Sequence, residues 1–420
     1  MTTQRDDLSN VEDVIDGADQ RPAPRRSAAL LVLTASEAQT WRDCPQKHHF
    51  KYRLRLRTKV DAPALAIGSI LHSGMSSGLR AGWSGVDGLS VAQRVERQVA
   101  AAQAGIDALV MKWTAKLIEH TRVTDYDELA EDAAATSAMV KWMLGHYFAA
   151  TSGDLTSLIL VETERAFSVP LRDIKGRPVK HLRSEGVRDA VFYDPTYNAL
   201  DLHEHKSVGA TPRDLERRAE MDPQTTTYIN SLFEDLAQGR LKLVTGEPVP
   251  RDAKIGRLNY NALKKKIPST PKVNQDGTVS IAAIDTLPRL YVEALDEQSR
   301  APEHGGRGIP VTEKQYAKAK ELADKGDTFF ARVEYFRTQA ELERWRVEAF
   351  MDASRIREAN RNALARTRNP GHCTMPWSMR CEYRQLCLDP ESTELASQFR
   401  ISRDIHAEVR EAEADADSPA

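Results

Sequence analysis

Gly186-Val-Arg-Asp-Ala-Val-Phe-Tyr-Asp-Pro-Thr-Tyr-Asn-Ala-Leu-Asp-Leu-His-Glu-His-Lys206 is the stretch whose reading decides the fold. Two apolar runs flank Asp194-Pro195, a turn signal, so the pattern predicts a strand over His181–Tyr193, a turn, and a strand over Ala199–Ser207. Side chains alternate across a strand, so Glu204 and Lys206 at i and i+2 share one face. Asp189 precedes them on the neighbouring strand. An acid and a lysine turned inward on a strand are costly unless they are paired or bind a metal. Divalent-metal phosphodiester cleavage needs rigidly held carboxylates and a cation that orients the attacking water. The bland reading is an exposed sheet face carrying an ordinary ion pair. Two other acid-x-Lys strings, Asp173-Ile-Lys175 and Asp252-Ala-Lys254, lie in polar, turn-like sequence and read as decoys.

Outward from the hairpin, Gly68-Ser-Ile-Leu-His72 sets one histidine on an early helix predicted over Ala64–Leu79. Gln224 and Tyr228 share one face of a helix predicted from Thr211 to Ala237, broken at Asp222-Pro223. Taken singly, such a histidine is more often structural and a Gln/Tyr pair at helical spacing is usually surface. The chain spends its four cysteines unevenly: Cys373, Cys381 and Cys387 crowd together, and Cys44 stands alone near the N-terminus. Four thiolates suit a tetrahedral zinc or a cubane iron–sulfur cluster, which would clasp the two ends of the chain.

Along the chain, 1–27 predicts a disordered acidic arm and Ser36 a helix N-cap. Phe50–Arg57 alternates as an extended arm or a helix rim, and 28–150 forms a helical region carrying Cys44 and His72. Strands begin near Leu158 in a core spanning 151–300, with a short strand at Gly256–Tyr260. A helical region with the cysteine cluster occupies 301–395, its stretch 311–366 reading as continuous helix, before a charged tail at 396–420. Net charge is −2, yet 47–59 and 254–272 are basic runs without an acid; Arg53, Arg55, Lys264 and Lys265 are candidate DNA-backbone contacts. No apolar stretch approaches the roughly 18 residues that span a bilayer, so no membrane is expected. Four cysteines in 420 residues make no disulfide scaffold, which points to a reducing cytoplasm. The chain carries no P-loop string.

In this order, Cys44-Pro45 after a helix, Gly-x-x-x-His72, Gly-x-x-Asp189, Glu204-x-Lys206, Gln224-x-x-x-Tyr228 and a C-terminal cysteine cluster resemble the RecB/Cas4-like branch of the PD-(D/E)XK nuclease superfamily, which includes phage exonucleases. The resemblance implies an α/β fold, a mixed sheet flanked by helices with a C-terminal iron–sulfur clasp. It implies that His72, Asp189, Glu204 and the backbone carbonyl of His205 bind Mg²⁺ or Mn²⁺. Lys206 would be the catalytic lysine, with Asp189 and Glu204 the catalytic acids and Gln224 and Tyr228 a supporting motif. Cys44, Cys373, Cys381 and Cys387 would hold a [4Fe–4S] cluster, with structural Zn²⁺ as the alternative. The function implied is metal-dependent exonucleolytic cleavage of DNA for recombination, replication or repair, with a recombination or replication protein as a possible partner, in a bacterial or virus-infected cytoplasm. Two departures stand out: Arg188 precedes Asp189 in place of proline, and seven residues separate Cys373 from Cys381 in place of two. The rival readings are a non-catalytic DNA-binding or scaffold protein that kept the fold, and a redox protein built around the cluster.

Overall fold

The computed structural model describes residues 30–58, 63–120, 126–209, 215–373, 381–390, 392–402, 406 and 409–410. The expected arm at 1–27 and most of the tail at 396–420 lie outside them. The strands are β1 (Leu31–Leu33), β2 (Leu56–Thr58), β3 (Ile159–Arg172), β4 (Pro178–Asp194), β5 (Ala199–Val208), β6 (Lys254–Lys264), β7 (Phe330–Tyr335) and β8 (Phe399–Ile401). The helices that build the site are α1 (Ala35–Asp43), α2 (Pro63–Trp83), α3 (Val91–His120), α4 (Tyr126–Ala150), α5 (Pro223–Ala237) and α6 (Gln339–Arg361).

The main sheet runs β1-β4-β5-β6-β7, with β3 also paired to β4. It is mixed: β1–β4 and β5–β6 are parallel, while β3–β4, β4–β5 and β6–β7 are antiparallel. Strand β4 is long enough to serve two neighbours in turn. Leu182–Ser184 pair with β1, and Ala190–Asp194 pair with His203–Ala199 of β5. Between these segments β4 and β5 part company, since β5 runs on past His203 alongside β6 only. The fork falls at Asp189 and Glu204. The hairpin therefore places both acids at the mouth of a split in the sheet.

Each face of the sheet is covered. Helices α2, α3 and α4 bury Leu71, Met75, Ile106, Val140, Leu144 and Phe148 against Leu160, Ala190, Phe192 and Leu263. On the other face α5 sets Ile229, Leu232 and Leu236 against Val161, Val191, Leu200 and Leu202. Helix α2 approaches its neighbours closely through glycines. A Cβ on Gly78 would lie 2.4 Å from the Phe148 ring, and one on Gly74 would lie 2.7 Å from Ile106 and Leu144.

Several expectations need correction. The cap of α1 is Thr34, whose hydroxyl accepts from the Glu37 N–H at 3.1 Å; Thr34 has the extended backbone a cap needs, while Ser36 is already helical. Phe50–Arg57 is neither an extended arm nor a helix rim throughout: His49–Arg53 forms a π-turn and Leu56–Thr58 pairs with Phe399–Ile401. The stretch 311–366 is not one helix. It divides into Glu313–Lys325, β7 and α6, because Phe330–Tyr335 pairs with Leu258–Leu263. The sheet thus draws β1 and β7 from outside 151–300. The decoy Asp173 is spent on its own turn, accepting from the N–H groups of Lys175 and Arg177 at 2.9 Å each.

Helix α5 is locked to the sheet by Arg188, the residue that stands in the proline position. Its guanidinium is 1% exposed, donates to Glu162 (2.5 Å), Ser231 (2.7 Å) and Asp235 (2.7 Å), and lies 5.1 Å over the Phe167 ring. A buried cation satisfied from both β3 and α5 fixes their spacing. Replacing it leaves the partly buried Glu162 without this cation and the buried Asp235 with Arg240 alone; breaking a buried pair of this kind typically costs about 3 kcal/mol. Arg188→Ala should therefore lose about that much stability in urea unfolding; a loss under about 1 kcal/mol would contradict the tie.

Candidate metal and nuclease site

The fork between β4 and β5 opens into a cleft of about 1180 Å³. Its walls come from α1 (Ala35, Ser36, Gln39), α2 (Ser69, His72, Ser73, Ser76, Ser77, Arg80), α3 (Leu109, Lys112) and the start of α5 (Pro223, Gln224, Tyr228). Glu164, Gly186, Val187 and Asp189 form its floor.

Three groups converge there. His72 Nδ1 lies 2.8 Å from Glu164 Oε1 and 3.6 Å from Asp189 Oδ1, and the ligand atoms of all three sit within 4.8 Å of one another. Asp189 is 4% exposed. Its Oδ2 accepts from the backbone N–H of His205 at 2.7 Å, a donor available because β5 has left the β4 ladder at this point. Burial and then the charge of Glu204 push the Asp189 carboxyl well above the usual carboxylate range. Burial alone would lower the His72 pKa, but Asp189 and Glu164 outweigh it and push it up to about 10.

Glu204 is fully buried and its carboxyl is likewise raised by burial, against the pull of Lys206. Apart from the Lys206 ammonium, 2.5 Å from Oε1, neither oxygen has a hydrogen-bond partner among the described residues. Lys206 also donates to Gln224 Oε1 at 2.8 Å, and Gln224 Nε2 donates to the Tyr228 hydroxyl at 2.6 Å. Desolvation works against the Lys206 charge, yet Glu204 and Asp189 hold its pKa above the ordinary lysine value. The i, i+2 spacing on β5 and the i, i+4 spacing on α5 thus meet in one chain of contacts, Glu204–Lys206–Gln224–Tyr228. The alternating positions His203 and His205 point to the opposite face. His205 Nε2 meets the Tyr147 hydroxyl at 3.0 Å and His203 Nε2 accepts from Asn259 at 2.9 Å. Burial keeps both rings neutral.

Glu164 was not singled out from sequence. It stands between Thr163, paired with Ala190, and Arg165, paired with Arg188, and so faces Asp189 across the ladder. Its φ is +46°, a left-handed backbone for a non-glycine residue inside a strand. Such geometry costs about 1–3 kcal/mol and persists where the surroundings impose it, often at functional sites. The only sequence hint was the acid repeated at 162 and 164; strain of this kind has no residue signature.

The four cysteines lie at one junction. The Asn369 N–H points at Cys44 Sγ (3.4 Å), the carbonyl of Asn369 lies 3.8 Å from Cys373 Sγ, and the Cys381 N–H donates to the Cys373 carbonyl (3.4 Å). Burial raises the Cys387 thiol; Arg368 lowers it, and the nearby Cys44 and Cys373 raise it. Apolar contacts among Phe50, Leu56, Tyr383 and Leu386 pack the same junction. The residues 374–380 between the first two C-terminal cysteines lie outside those described.

The basic candidates are placed elsewhere. Arg53 and Arg55 are exposed beside β2, and Lys264 is held by Asp285 at 2.7 Å over the Phe329 ring. Lys265, next to it, donates its backbone N–H to the Val208 carbonyl at 2.8 Å. None of the four lines the cleft.

No curated protein matches the chain. A family model described as the PD-(D/E)XK nuclease superfamily matches residues 32–388, a span that begins in β1 and ends at the cysteine junction. The forked mixed sheet with acids at the fork and the Glu204-x-Lys206 strand lies within that span, and the chain belongs to the PD-(D/E)XK nuclease superfamily.

Proposed function

We propose that this protein is a divalent-metal-dependent deoxyribonuclease that trims DNA ends, an exonuclease of the RecB/Cas4-like kind serving recombination, replication or repair. The observation that carries the reading is Glu204, a buried carboxylate with no hydrogen-bond partner beyond Lys206 among the described residues, at the fork that also holds Asp189. Buried, mutually repelling acids with one donor each are what a cation site requires. His72, Asp189, Glu204 and the carbonyl of His205 would hold Mg²⁺ or Mn²⁺, with Glu164 as an added ligand; the imidazole favours Mn²⁺. Such ions supply Lewis-acid stabilisation of the phosphate.

The chain's own residues do the rest. Lys206 is held protonated, so its role is that of a hydrogen-bond donor and positive charge aimed at the reacting phosphate, and not of a general base. Gln224 fixes the direction of that ammonium, and Tyr228 fixes Gln224. Asp189 is oriented by the His205 N–H. With end-labelled linear and closed circular DNA and Mn²⁺, the wild type should degrade the linear form. Lys206→Ala should lose about 10²–10³ in rate, the scale of one pre-organised charge-stabilising donor, while still binding DNA. Full activity in purified Lys206→Ala would overturn the assignment.

We infer further that Cys44, Cys373, Cys381 and Cys387 hold a [4Fe–4S] cluster that closes the two ends of the chain. Support comes from the four cysteines lying at one junction; burial raises the Cys381 and Cys387 thiols there, and Lys47 and Arg368 offset that only in part. Protein purified without oxygen should be brown and contain iron and sulfide in equal amounts, and each Cys→Ser variant should bleach it. A colourless protein with one tightly bound zinc would keep the clasp and discard the cluster.

A further inference from the structure

Helix α2 has two unlike faces. One carries Gly74 and Gly78 and is pressed against α3 and α4, where a Cβ would meet side chains at 2.7 and 2.4 Å. The cleft-facing side carries Ser69, His72, Ser73, Ser76, Ser77 and Arg80 at three-to-four spacing, the repeat of one helical face. The close packing behind holds the serine side in a fixed position beside the fork.

Within that wall three groups are uncommitted. Ser76 is 9% exposed, lines the cleft, and its hydroxyl has no hydrogen-bond partner among the described residues. By contrast, Ser77 donates to the Ser73 carbonyl at 3.0 Å and Ser73 donates to the Gly105 carbonyl at 3.4 Å. Arg80 is exposed and makes only a long 3.5 Å contact to the Thr163 carbonyl; Lys112, on α3, is exposed on the same wall. Neither cation has a carboxylate partner among the described residues, although Glu164, Asp189 and Asp222 border the same cleft. Two cations without a carboxylate partner and a free hydroxyl on a largely buried serine, opposite an acidic floor, form a surface for anions other than the one held at the floor.

We propose that Ser76, Arg80 and Lys112 form a backbone subsite that holds the phosphates of the substrate strand flanking the phosphate to be cut. This rests on the nuclease reading of the fork. Ser76 lies four residues, about one helical turn, beyond His72 and Arg80 four further, steps of about 6 Å each. Such steps are comparable to the separation of neighbouring phosphates on one strand. Tyr228 is the one aromatic side chain lining the cleft among the described residues, and its hydroxyl is engaged by Gln224. The subsite therefore reads backbone and offers no stacking platform, which makes binding sequence-independent and salt-sensitive.

The test uses the full chain carrying Lys206→Ala, so that bound DNA is not cut, and follows fluorescence anisotropy of a labelled oligonucleotide across a salt series. Adding Arg80→Ala or Lys112→Ala should each weaken binding and reduce the slope of log K against log[salt] by about 0.7–0.9. Ser76→Asp should weaken binding by about tenfold, since a charge replaces a donor to phosphate. Lys325→Ala, paired with Glu321 away from the cleft, should leave both unchanged. Arg80 and Lys112 are exposed, so those variants remain readable if Ser76→Asp does not fold. Unchanged affinity and slope in both, with a wild type that cuts DNA, would overturn the subsite alone. A wild type that neither binds nor cuts DNA would overturn the nuclease reading and the subsite with it.

Discussion

The structure is organised around carboxylates held away from water where two strands separate. Asp189 and Glu204 sit at the end of the β4–β5 pairing, Glu164 faces Asp189 from β3, and burial raises the pKa of both fork acids. Isolated buried charges of one sign are costly, and the fold compensates only in part, through Lys206, His72 and the N–H of His205. The surrounding elements fix those compensating groups in place. Arg188 ties α5 to the sheet so that Gln224 can hold Lys206. The glycine side of α2 lets it pack closely enough to set His72 over the floor.

The cysteine junction bears on the same cleft through α1. That helix starts at Thr34, lines the cleft with Ser36 and Gln39, and ends at Cys44. Its far end is held by Asn369, whose side chain donates to the Asp43 carbonyl at 2.9 Å, and by Arg42, which pairs with Asp352 of α6 at 2.7 Å. Antiparallel pairing of β2 with β8 reinforces the junction. Loop-closure entropy grows only logarithmically with length, so most of the stabilisation from joining such distant residues comes from local bonds and packing. Loss of the junction would free one wall of the cleft as well as the chain ends.

Much of this was legible because it depends on short-range periodicity. The turn at Asp194-Pro195, the i, i+2 acid and lysine, and the i, i+4 Gln224 and Tyr228 were readable from spacing, and the structure joins them. What was hidden depends on long-range pairing or on backbone strain. β7 reads as helix because charged and apolar residues mix in Phe330–Tyr335, and only its pairing with β6 makes it a strand. Glu164 takes its place through a left-handed backbone that glutamate does not advertise. Arg188 reads as a mere departure from a proline pattern, yet it is the most deeply paired cation near the site. Lys264, one of a basic run without local acids, finds Asp285 across a loop and is neutralised.

The fork buries two acids whose charges its own cations offset only in part, and thermal unfolding with and without Mn²⁺ tests most directly whether a divalent ion completes it. A ligand that binds only the folded state stabilises it by about 2.7 kcal/mol at a hundred times its dissociation constant. Wild-type protein stripped with chelator should melt at a higher temperature once Mn²⁺ is restored. Asp189→Asn and Glu204→Gln should instead melt higher than the stripped wild type without metal and respond little to Mn²⁺. A wild type indifferent to Mn²⁺, or acid-to-amide variants less stable than the stripped wild type, would contradict the account.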